Sequence, residues 1–204
     1  VLIKGKNIFV SGAGGSIGAE LCEQILSYEP SKLIMFEISE ISLYTINNKL
    51  KSLNNLDTLK GGYKGAPKFP TFNLYETLLY FYNKSGDKKY LEPVDLIIKQ
   101  LCSKGIYDHV DGGIARYTVD EDWIVPHFEK MLYDNSQFIL LLSKYCKIKS
   151  EVYFKEKLEQ TIEFIIHNFK NNEGFLGSAY DADSDGEEGK YYVFSYDEIK
   201  AIEN

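Results

Sequence analysis

The chain has little positive charge of the kind that binds phosphate. A single arginine, Arg116, stands among 204 residues whose formal net charge is −7 at pH 7. Nucleic-acid binding needs clustered basic side chains, so this composition excludes a nucleic-acid surface. One guanidinium also leaves little scope for bidentate binding of phosphate or carboxylate groups. We therefore expect partners other than nucleic acid.

Cysteines and long apolar runs are also scarce. The three cysteines lie far apart without a CxxC pair, which favours reduced thiols in a cytoplasmic protein. The longest fully apolar run, FILLL at residues 138–142, is far below the roughly 20 residues of a membrane span. We expect no secretory signal, because no basic and apolar leader is visible. The first residue is Val1 rather than methionine, which suggests a trimmed or partial reading frame.

The first part of the chain alternates two kinds of apolar pattern. Residues 7–12 (NIFVSG) and 32–37 (KLIMFE) have the short apolar runs of buried parallel strands. Residues 16–28 and 40–53 have apolar side chains at helical spacing. The order β-α-β-α predicts a partial Rossmann unit over residues 1–55.

A glycine-rich turn joins the first predicted strand to the first predicted helix. Gly12 allows the tight turn, Gly15 lets the backbone approach a pyrophosphate, and Gly18 lets the helix pack closely on the strand. The helix N-terminus then faces the anion. Glu37 ends the second predicted strand, where a carboxylate accepts hydrogen bonds from an adenosine ribose and repels a 2′-phosphate. This position favours NAD over NADP.

The stretch VSGAGGSIGAELCEQIL, continued by PSKLIMFEISEISLY, resembles the nucleotide-sugar epimerase/dehydratase family of polysaccharide biosynthesis, an extended short-chain dehydrogenase group. The resemblance covers about residues 6–53 and implies an NAD or NADP cofactor. The residues that would contact it are Gly12, Gly15, Ser16, Ile17, Gly18 and Glu37. The family's downstream Tyr-x-x-x-Lys pair and later strands have no counterpart in family context here, so we expect the binding of NAD(P) to be weak or absent.

The spacing of apolar residues changes after the loop at residues 54–70. Residues 73–84, 89–102, 127–147 and 151–168 have helical patterns separated by glycine-rich loops, and residues 190–195 (KYYVFS) have the pattern of a strand. The helices form two hairpins of weakly similar sequence. Such a repeat is typical of a toroid or solenoid of paired helices.

The stretches GGYKGAPKFP, GIYDHVDGGIARYTVDEDWIVPHFEKMLYDN and EGFLGSAYDADSDGEEGKYYVFSYDEI resemble the thioredoxin-domain-containing (spermatogenesis-associated 20-like) family. The resemblance runs from about residue 57 to the last residue and leaves out that family's thioredoxin-like part. It implies part of an (α/α)6 toroid of the six-hairpin glycosidase type, related to N-acylglucosamine 2-epimerases. The expected fold class is therefore mixed: a partial Rossmann unit at residues 1–55, followed by a partial all-α (α/α)6 toroid at residues 56–204.

The loops of the predicted toroid supply the candidate catalytic residues. His127 and Glu129 follow Pro126 at a predicted helix start, where the helix dipole can tune titrating groups. Facing carboxylates would serve a glycosidase, whereas a histidine base would serve an epimerase. Loop capping and turn formation are the structural alternative. The candidates are Arg116, Asp120, His127, Glu129, Asp181 and Asp183.

No metal site is predicted. DADSDGEEGKYY, from Asp181, matches a calcium loop at its first positions and at the glycine. Its twelfth position is Tyr192, where such a loop needs a bidentate glutamate. Glu187 and Glu188 are interpreted as a solvated turn.

The two resemblances suggest a chain joined from two fragments near residues 52–58 and inactive alone. Its expected ligand is a carbohydrate or nucleotide-sugar, and self-association through the incomplete toroid is also expected. Two alternatives stay open. The chain could be one piece of a larger sugar-modifying enzyme, an epimerase or glycosidase, or it could be a non-enzymatic module that binds a sugar or nucleotide.

Overall fold

The computed structural model describes residues 2–202, except for the side chains of residues 45, 48, 49, 51–55 and 202. The chain divides into two compact units, Val1–Leu56 and Asp57–Asn204. Each unit has its own apolar core.

The first unit has the expected order of strands and helices. Its elements are β1 (Asn7–Ser11), α1 (Ser16–Ser27), β2 (Lys32–Phe36) and α2 (Glu40–Asn55). The strands pair in parallel, from Asn7 opposite Lys32 to Ser11 opposite Phe36. Ser39 caps α2 by accepting a hydrogen bond from the backbone N–H of Ser42. The core members are Val10, Ala13, Cys22, Ile25, Ile46 and Leu50.

The two strands are less buried than the sequence predicts. Phe9 is 62% exposed, Ile34 41% and Phe36 56%, and the rings of Phe9 and Phe36 stack with centroids 6.4 Å apart. The prediction of fully buried strands is wrong because the core of this unit covers only one face of the pair. The predicted self-association of the chain stays a prediction.

The second unit is built on two helical hairpins. Its helices are α3 (Phe72–Ser85), α4 (Lys88–Ser103), α5 (Leu132–Ile148), α6 (Val152–Phe164) and α7 (Tyr196–Ile202). α3 packs against α4 and α5, and α5 packs against α6, which continues into a π-helical turn, Ile165–Phe169. The apolar side chains at helical spacing in α4 and α5 meet in one core around Phe138 and Trp123. The predicted helical hairpins are present.

Short antiparallel strands lie between and after these helices. β3 (Tyr117–Thr118) pairs with β4 (Pro126–His127), β5 (Lys130–Met131) with β6 (Ala179–Tyr180), and β7 (Asp183–Ser184) with β8 (Glu187–Glu188). The helix predicted to start at residue 127 starts at Leu132 instead, so the placement of His127 and Glu129 at a helix start is wrong. The physical reason is long-range pairing, because His127 lies opposite Tyr117 in a two-residue ladder.

The predicted strand at residues 190–195 is absent from the described chain, which forms turns and irregular backbone there. Gly189 has a φ of +75°, a conformation that only glycine adopts freely, and it turns the backbone away from β8. The Tyr192 ring stacks on Phe128 with centroids 5.3 Å apart. Of the aromatic side chains that suggested a strand, Tyr192 therefore packs against the unit, whereas Tyr191 and Phe194 are more than half exposed.

Three buried polar side chains fasten the loops of the second unit. Lys68 Nζ donates to Asp57 Oδ2 at 2.7 Å. Lys130 Nζ donates to Asp108 Oδ2 at 2.7 Å. The Asn135 amide accepts from the Ile114 N–H at 2.8 Å and donates to the Ile114 carbonyl at 3.1 Å. Because buried polar groups need partners, these contacts fix the loops from which the candidate site is built.

Candidate functional site

In the glycine turn of the first unit, Gly12 and Gly18 have the geometry for which they were singled out, and the approach of Gly15 to a pyrophosphate stays a prediction. Gly12 has a φ of +67°, where other residues are strained. A Cβ atom on Gly18 would lie 1.9 Å from the Gly12 carbonyl oxygen, so only glycine lets α1 approach the turn this closely. Gly15 is the N-cap of α1, followed by Ser16 and Ile17 in its first turn.

Glu37 already has backbone partners at this turn. Its Oε2 accepts from the Gly14 N–H at 2.9 Å, and its Oε1 accepts from the Ile38 and Ser39 N–H groups at 2.9 and 3.2 Å. The bond from Ser39, followed by that from Gly14, holds the pKa of Glu37 below its usual range. A ribose hydroxyl would share the carboxylate with these donors. Contact between Glu37 and a dinucleotide stays a prediction.

Three of the candidates in the second unit come together. Arg116 Nη1 donates to Glu129 Oε2 at 3.0 Å, and the backbone N–H of Arg116 donates to the Glu129 carbonyl at 2.9 Å. His127 Nε2 lies 3.9 Å from the same Glu129 Oε2. Glu188, on β8, places its Oε1 2.7 Å from His127 Nδ1. We call these four residues the His127 cluster.

The surroundings of His127 fix its ring in one orientation. The Tyr117 ring stacks on it with centroids 4.8 Å apart and planes 18° from parallel. Because an ionised carboxylate only accepts hydrogen bonds, the contact with Glu188 assigns a proton to Nδ1. In the neutral ring, Nε2 is then the basic nitrogen. This is the arrangement of a histidine base oriented by a carboxylate.

Asp120 does not join the cluster. Its carboxylate accepts from the backbone N–H groups of Asp122 at 2.6 Å and of Ile124 at 3.2 Å, so it fastens its own loop. These contacts fit the structural alternative for loop acids, and a catalytic role for Asp120 stays a prediction.

The two later aspartates lie on or beside the β7–β8 hairpin. Asp181 Oδ1 accepts from the Asp183 N–H at 3.2 Å, which closes a local turn. Asp183 lies directly opposite Glu188, which places it next to the His127 cluster. A catalytic role for Asp181 or Asp183 stays a prediction.

Two residues of the site were missed in the sequence. Glu188 is not merely part of a solvated turn, since it contacts His127 across 61 positions of the chain. Asp134 is 8% exposed in the first turn of α5. In the sequence, the only sign of this residue was an acidic side chain at the start of an apolar helix. Such a side chain is common there because it complements the helix dipole.

Asp134 lies in the wall of a cavity of about 460 Å³, within the roughly 300–1,000 Å³ range of small-molecule sites. Its Oδ2 atom is buried and has no hydrogen-bond partner among the described residues. Burial raises the pKa of Asp134 to about 6, against the opposing charge of Arg116. The cavity is lined by Tyr63, residues 69–74, Arg116, Tyr133, Asp134 and Gln137.

Replacing Asp134 with asparagine is expected to stabilise the second unit by up to about 3 kcal/mol at pH 8, because each pKa unit is worth about 1.4 kcal/mol. The folded pKa lies above the unfolded value, so the folded state holds the proton more tightly. Stability of the native chain therefore falls as the pH rises from about 4 to about 6. The gain in stability from Asp134→Asn should be absent at pH 4.

Urea unfolding followed by the fluorescence of Trp123, which is fully buried in the same unit, measures this effect. Asp197→Asn on α7, where the side chain is exposed, is the matched control and should change stability little at either pH. An equal gain for Asp134→Asn at pH 4 and pH 8 would contradict a strained charge at this position.

The described residues contain neither a group of side chains that could hold a metal ion nor a helix that could span a membrane. Among residues 2–202, no group of three or more His, Cys, Asp or Glu side chains could hold a metal ion. No described helix combines the length and apolar character needed to cross a bilayer.

The start of the chain is similar to proteins of polysaccharide biosynthesis. Residues 8–62 match the family model described as polysaccharide biosynthesis protein. Over 48 residues the chain is 46% identical to the probable polysaccharide biosynthesis protein EpsC of Bacillus subtilis, which covers 24% of this chain and 8% of that protein.

Most of the chain is similar to another family. It is 31% identical over 173 residues to human spermatogenesis-associated protein 20, which covers 79% of this chain and 22% of that protein. Both resemblances are confirmed. The chain thus spans about a fifth of the length of this relative and less than a tenth of the length of the Bacillus protein.

Solved structures are similar at the level of the fold. Cellobiose 2-epimerase from Bacillus thermoamylovorans superposes with a TM-score of 0.57 at 16% identity, over 77% of this chain and 46% of that chain. A family 76 glycoside hydrolase from a Bacteroides thetaiotaomicron strain gives 0.54 at 13% identity, over 86% and 37%. At such identities the likeness shows the fold alone. The predicted architecture of six-hairpin type is confirmed for the helical part.

Proposed function

We propose that the second unit binds a carbohydrate through the His127 cluster, with chemistry of the sugar-epimerase kind. The observation that carries the proposal is the 2.7 Å contact between His127 Nδ1 and Glu188 Oε1. It leaves Nε2 as the basic atom, and epimerisation needs a base that removes a proton next to a carbonyl group. The guanidinium of Arg116 supplies positive charge beside this base, where an oxyanion would form.

The geometry favours an epimerase over a glycosidase. A glycosidase needs two carboxylates that face each other across the sugar. Here the imidazole of His127 stands between Glu129 and Glu188, with one ring nitrogen toward each carboxylate. The proposed site therefore has a histidine between two carboxylates, and not two carboxylates that face each other across a sugar. The similar solved structures include both a cellobiose 2-epimerase and a family 76 glycoside hydrolase, so this choice rests on the geometry alone.

In this proposal the first unit derives from a protein whose function differs from that of the second unit's family. The match of residues 8–62 to polysaccharide biosynthesis proteins supports a dinucleotide-binding start of an NAD(P)-dependent nucleotide-sugar enzyme, with a Rossmann-type turn at Gly12, Gly15 and Gly18. The covered face of its strand pair is small and Phe9 and Phe36 are exposed, so we expect NAD(P) binding by these residues to be weak or absent.

The chain as a whole is then a joined pair of fragments. The change of parent family falls close to the boundary between the two compact units at residues 56 and 57. We expect no turnover by the 204-residue polypeptide. Reading the DNA that encodes residues 52–58 on a single long molecule tests the junction. A continuous frame that extends either family would favour a larger sugar-modifying enzyme, and a break between the segments would reveal an assembly error.

Calorimetric titration of the whole chain with cellobiose tests the carbohydrate site. We expect saturable binding in the millimolar range that His127→Gln weakens several-fold, because a hydrogen bond of a neutral group contributes about 0.5–1.5 kcal/mol. His109→Gln is the matched control, since that exposed side chain contacts the Lys104 carbonyl instead. Absence of saturation at 50 mM cellobiose, or equal weakening by both variants, would refute the proposed site.

A further inference from the structure

The cavity beside the His127 cluster has polar atoms that the fold leaves without partners. Asp134 Oδ2 and Thr71 Oγ1 are both buried, and neither has a hydrogen-bond partner among the described residues. Both residues line the same cavity of about 460 Å³. Buried polar groups without partners are costly, and two of them in one cavity wall indicate a ligand that supplies the missing hydrogen bonds.

Thr71 also has an unusual backbone. Its φ is +48°, in the left-handed region that a β-branched residue rarely adopts. It directly precedes α3, where its side chain makes no capping hydrogen bond. Such strain is retained when the surroundings impose it, and it is concentrated at binding sites. This observation is independent of the orphaned carboxylate.

The walls of the cavity connect it to the His127 cluster. Arg116 lines the cavity and also donates to Glu129. Phe69, another lining residue, packs on Tyr117 with ring centroids 4.7 Å apart, and Tyr117 stacks on His127. A ligand in the cavity therefore lies beside Arg116, a member of the cluster, and the rings of Phe69 and Tyr117 separate it from His127.

The charge around the cavity is negative. Arg116 is the only arginine of the chain, and Glu129 already pairs with it at 3.0 Å. Asp134 adds a second carboxylate beside the same guanidinium. The negative charge would repel a sugar acid or a sugar phosphate. An uncharged sugar, in contrast, can donate hydrogen bonds from its hydroxyl groups to the carboxylates.

We propose that this cavity binds one neutral sugar ring, whose hydroxyl groups hydrogen-bond to the Asp134 carboxylate and the Thr71 hydroxyl against the aromatic wall of Tyr63 and Phe69. The terminal torsion of an aspartate is soft, so the carboxylate can turn toward an entering hydroxyl. Asp134 is then a specificity-determining residue. This inference rests on the proposed carbohydrate function and adds its substrate class.

Titration of the whole chain with glucose, mannose, glucuronate and glucose 6-phosphate tests the inference. We expect millimolar binding of a neutral sugar at pH 8, weakened at least tenfold by Asp134→Asn and several-fold by Thr71→Val. Asp197→Asn should bind as the native chain does. A thermal melt of each variant separates loss of binding from loss of folding, since Asp134→Asn is expected to be no less stable than the native chain.

The pH dependence gives a second readout. The charged and titratable groups that act on Asp134 are Arg116, Glu129 and Tyr133. With a pKa of about 6 and an ionised carboxylate required as acceptor, binding should weaken about tenfold from pH 8 to pH 5. In Asp134→Asn this change should disappear.

The outcomes separate this inference from the function on which it rests. Equal sugar binding by the native chain and Asp134→Asn would overturn the role of the cavity and leave the His127 cluster as the binding site. If glucuronate or glucose 6-phosphate binds more tightly than glucose and mannose, the proposal that the ligand is a neutral sugar is wrong. Lack of binding of every sugar, by the native chain and by Asp197→Asn alike, would refute the proposed function itself.

Discussion

Replacing Gly18 with valine is expected to unfold the first unit. The Cβ atom would lie 1.9 Å from the Gly12 carbonyl oxygen and 2.7 Å from its carbonyl carbon. These are backbone atoms of the turn, which cannot rotate away as a side chain would. α1 would have to leave β1, with the loss of the contacts around Cys22 and Ile25. We expect a loss of more than about 4 kcal/mol.

Hydrogen exchange measured by mass spectrometry separates the units in this experiment. In Gly18→Val, peptides from residues 2–56 should exchange fully, while α4 and α5 keep their protection. Gly15→Ala is the matched control in the same turn, since its Cβ would lie 3.5 Å from the Gly12 oxygen, an ordinary contact. Retained protection of α1 in the valine variant would show that the turn is not packed as described.

Replacing Lys130 with methionine should destabilise the second unit by about 3–5 kcal/mol, because it leaves a buried charge without its partner. The Lys130 side chain is 4% exposed and that of Asp108 11%. Burial alone would raise the pKa of Asp108, but the hydrogen bond and charge of Lys130 outweigh it and the pKa is lowered. The stability that Lys130 gives to the ionised Asp108 is thus lost as the pH falls through this lowered pKa, whereas burial lowers the pKa of Lys130 itself.

A double-mutant cycle tests the pair. Asp108→Asn combined with Lys130→Met removes both charges and should recover at least half of the lost stability. Urea unfolding monitored by Trp123 measures the three variants, because this buried tryptophan is the only one in the chain. Additive losses in the double variant would mean that the two side chains are not coupled.

The local patterns of the sequence were sufficient for β1, β2 and the helices α1 to α6, apart from the start of α5. The strand order of the first unit and the helical hairpins of the second follow from apolar spacing that is visible within a dozen residues. The resemblance to the six-hairpin fold came from three stretches, at residues 61–70, 105–135 and 173–199. Because these features are short-range, the order of amino acids alone predicts them.

The errors arose where distant segments meet. Phe128, Met131 and Leu132 continue the helical spacing of α5, but pairing with β3 holds His127 in a strand. Glu188 looked like a solvent-exposed turn residue, and only the fold brings it to His127. Sequence patterns carry no signal for a partner so far along the chain.

Asp134 was missed for a different reason. An acid in the first turn of a helix is ordinary, since it complements the helix dipole. What distinguishes this carboxylate is its burial among residues of α3, of its own helix and of the loop that holds Arg116. Such burial is a property of the tertiary structure, and the sequence alone does not encode it in any local pattern.

In the proposed function, the His127 cluster and the adjoining cavity form one carbohydrate site. The most direct test is a two-dimensional NMR titration of the whole chain with cellobiose, with assigned signals for the side chains of Arg116 and His127. We predict saturable shifts confined to these side chains and to the backbone around Thr71, Tyr133 and Asp134. Shifts that never saturate, or that fall elsewhere in the second unit while these signals stay still, would contradict the account.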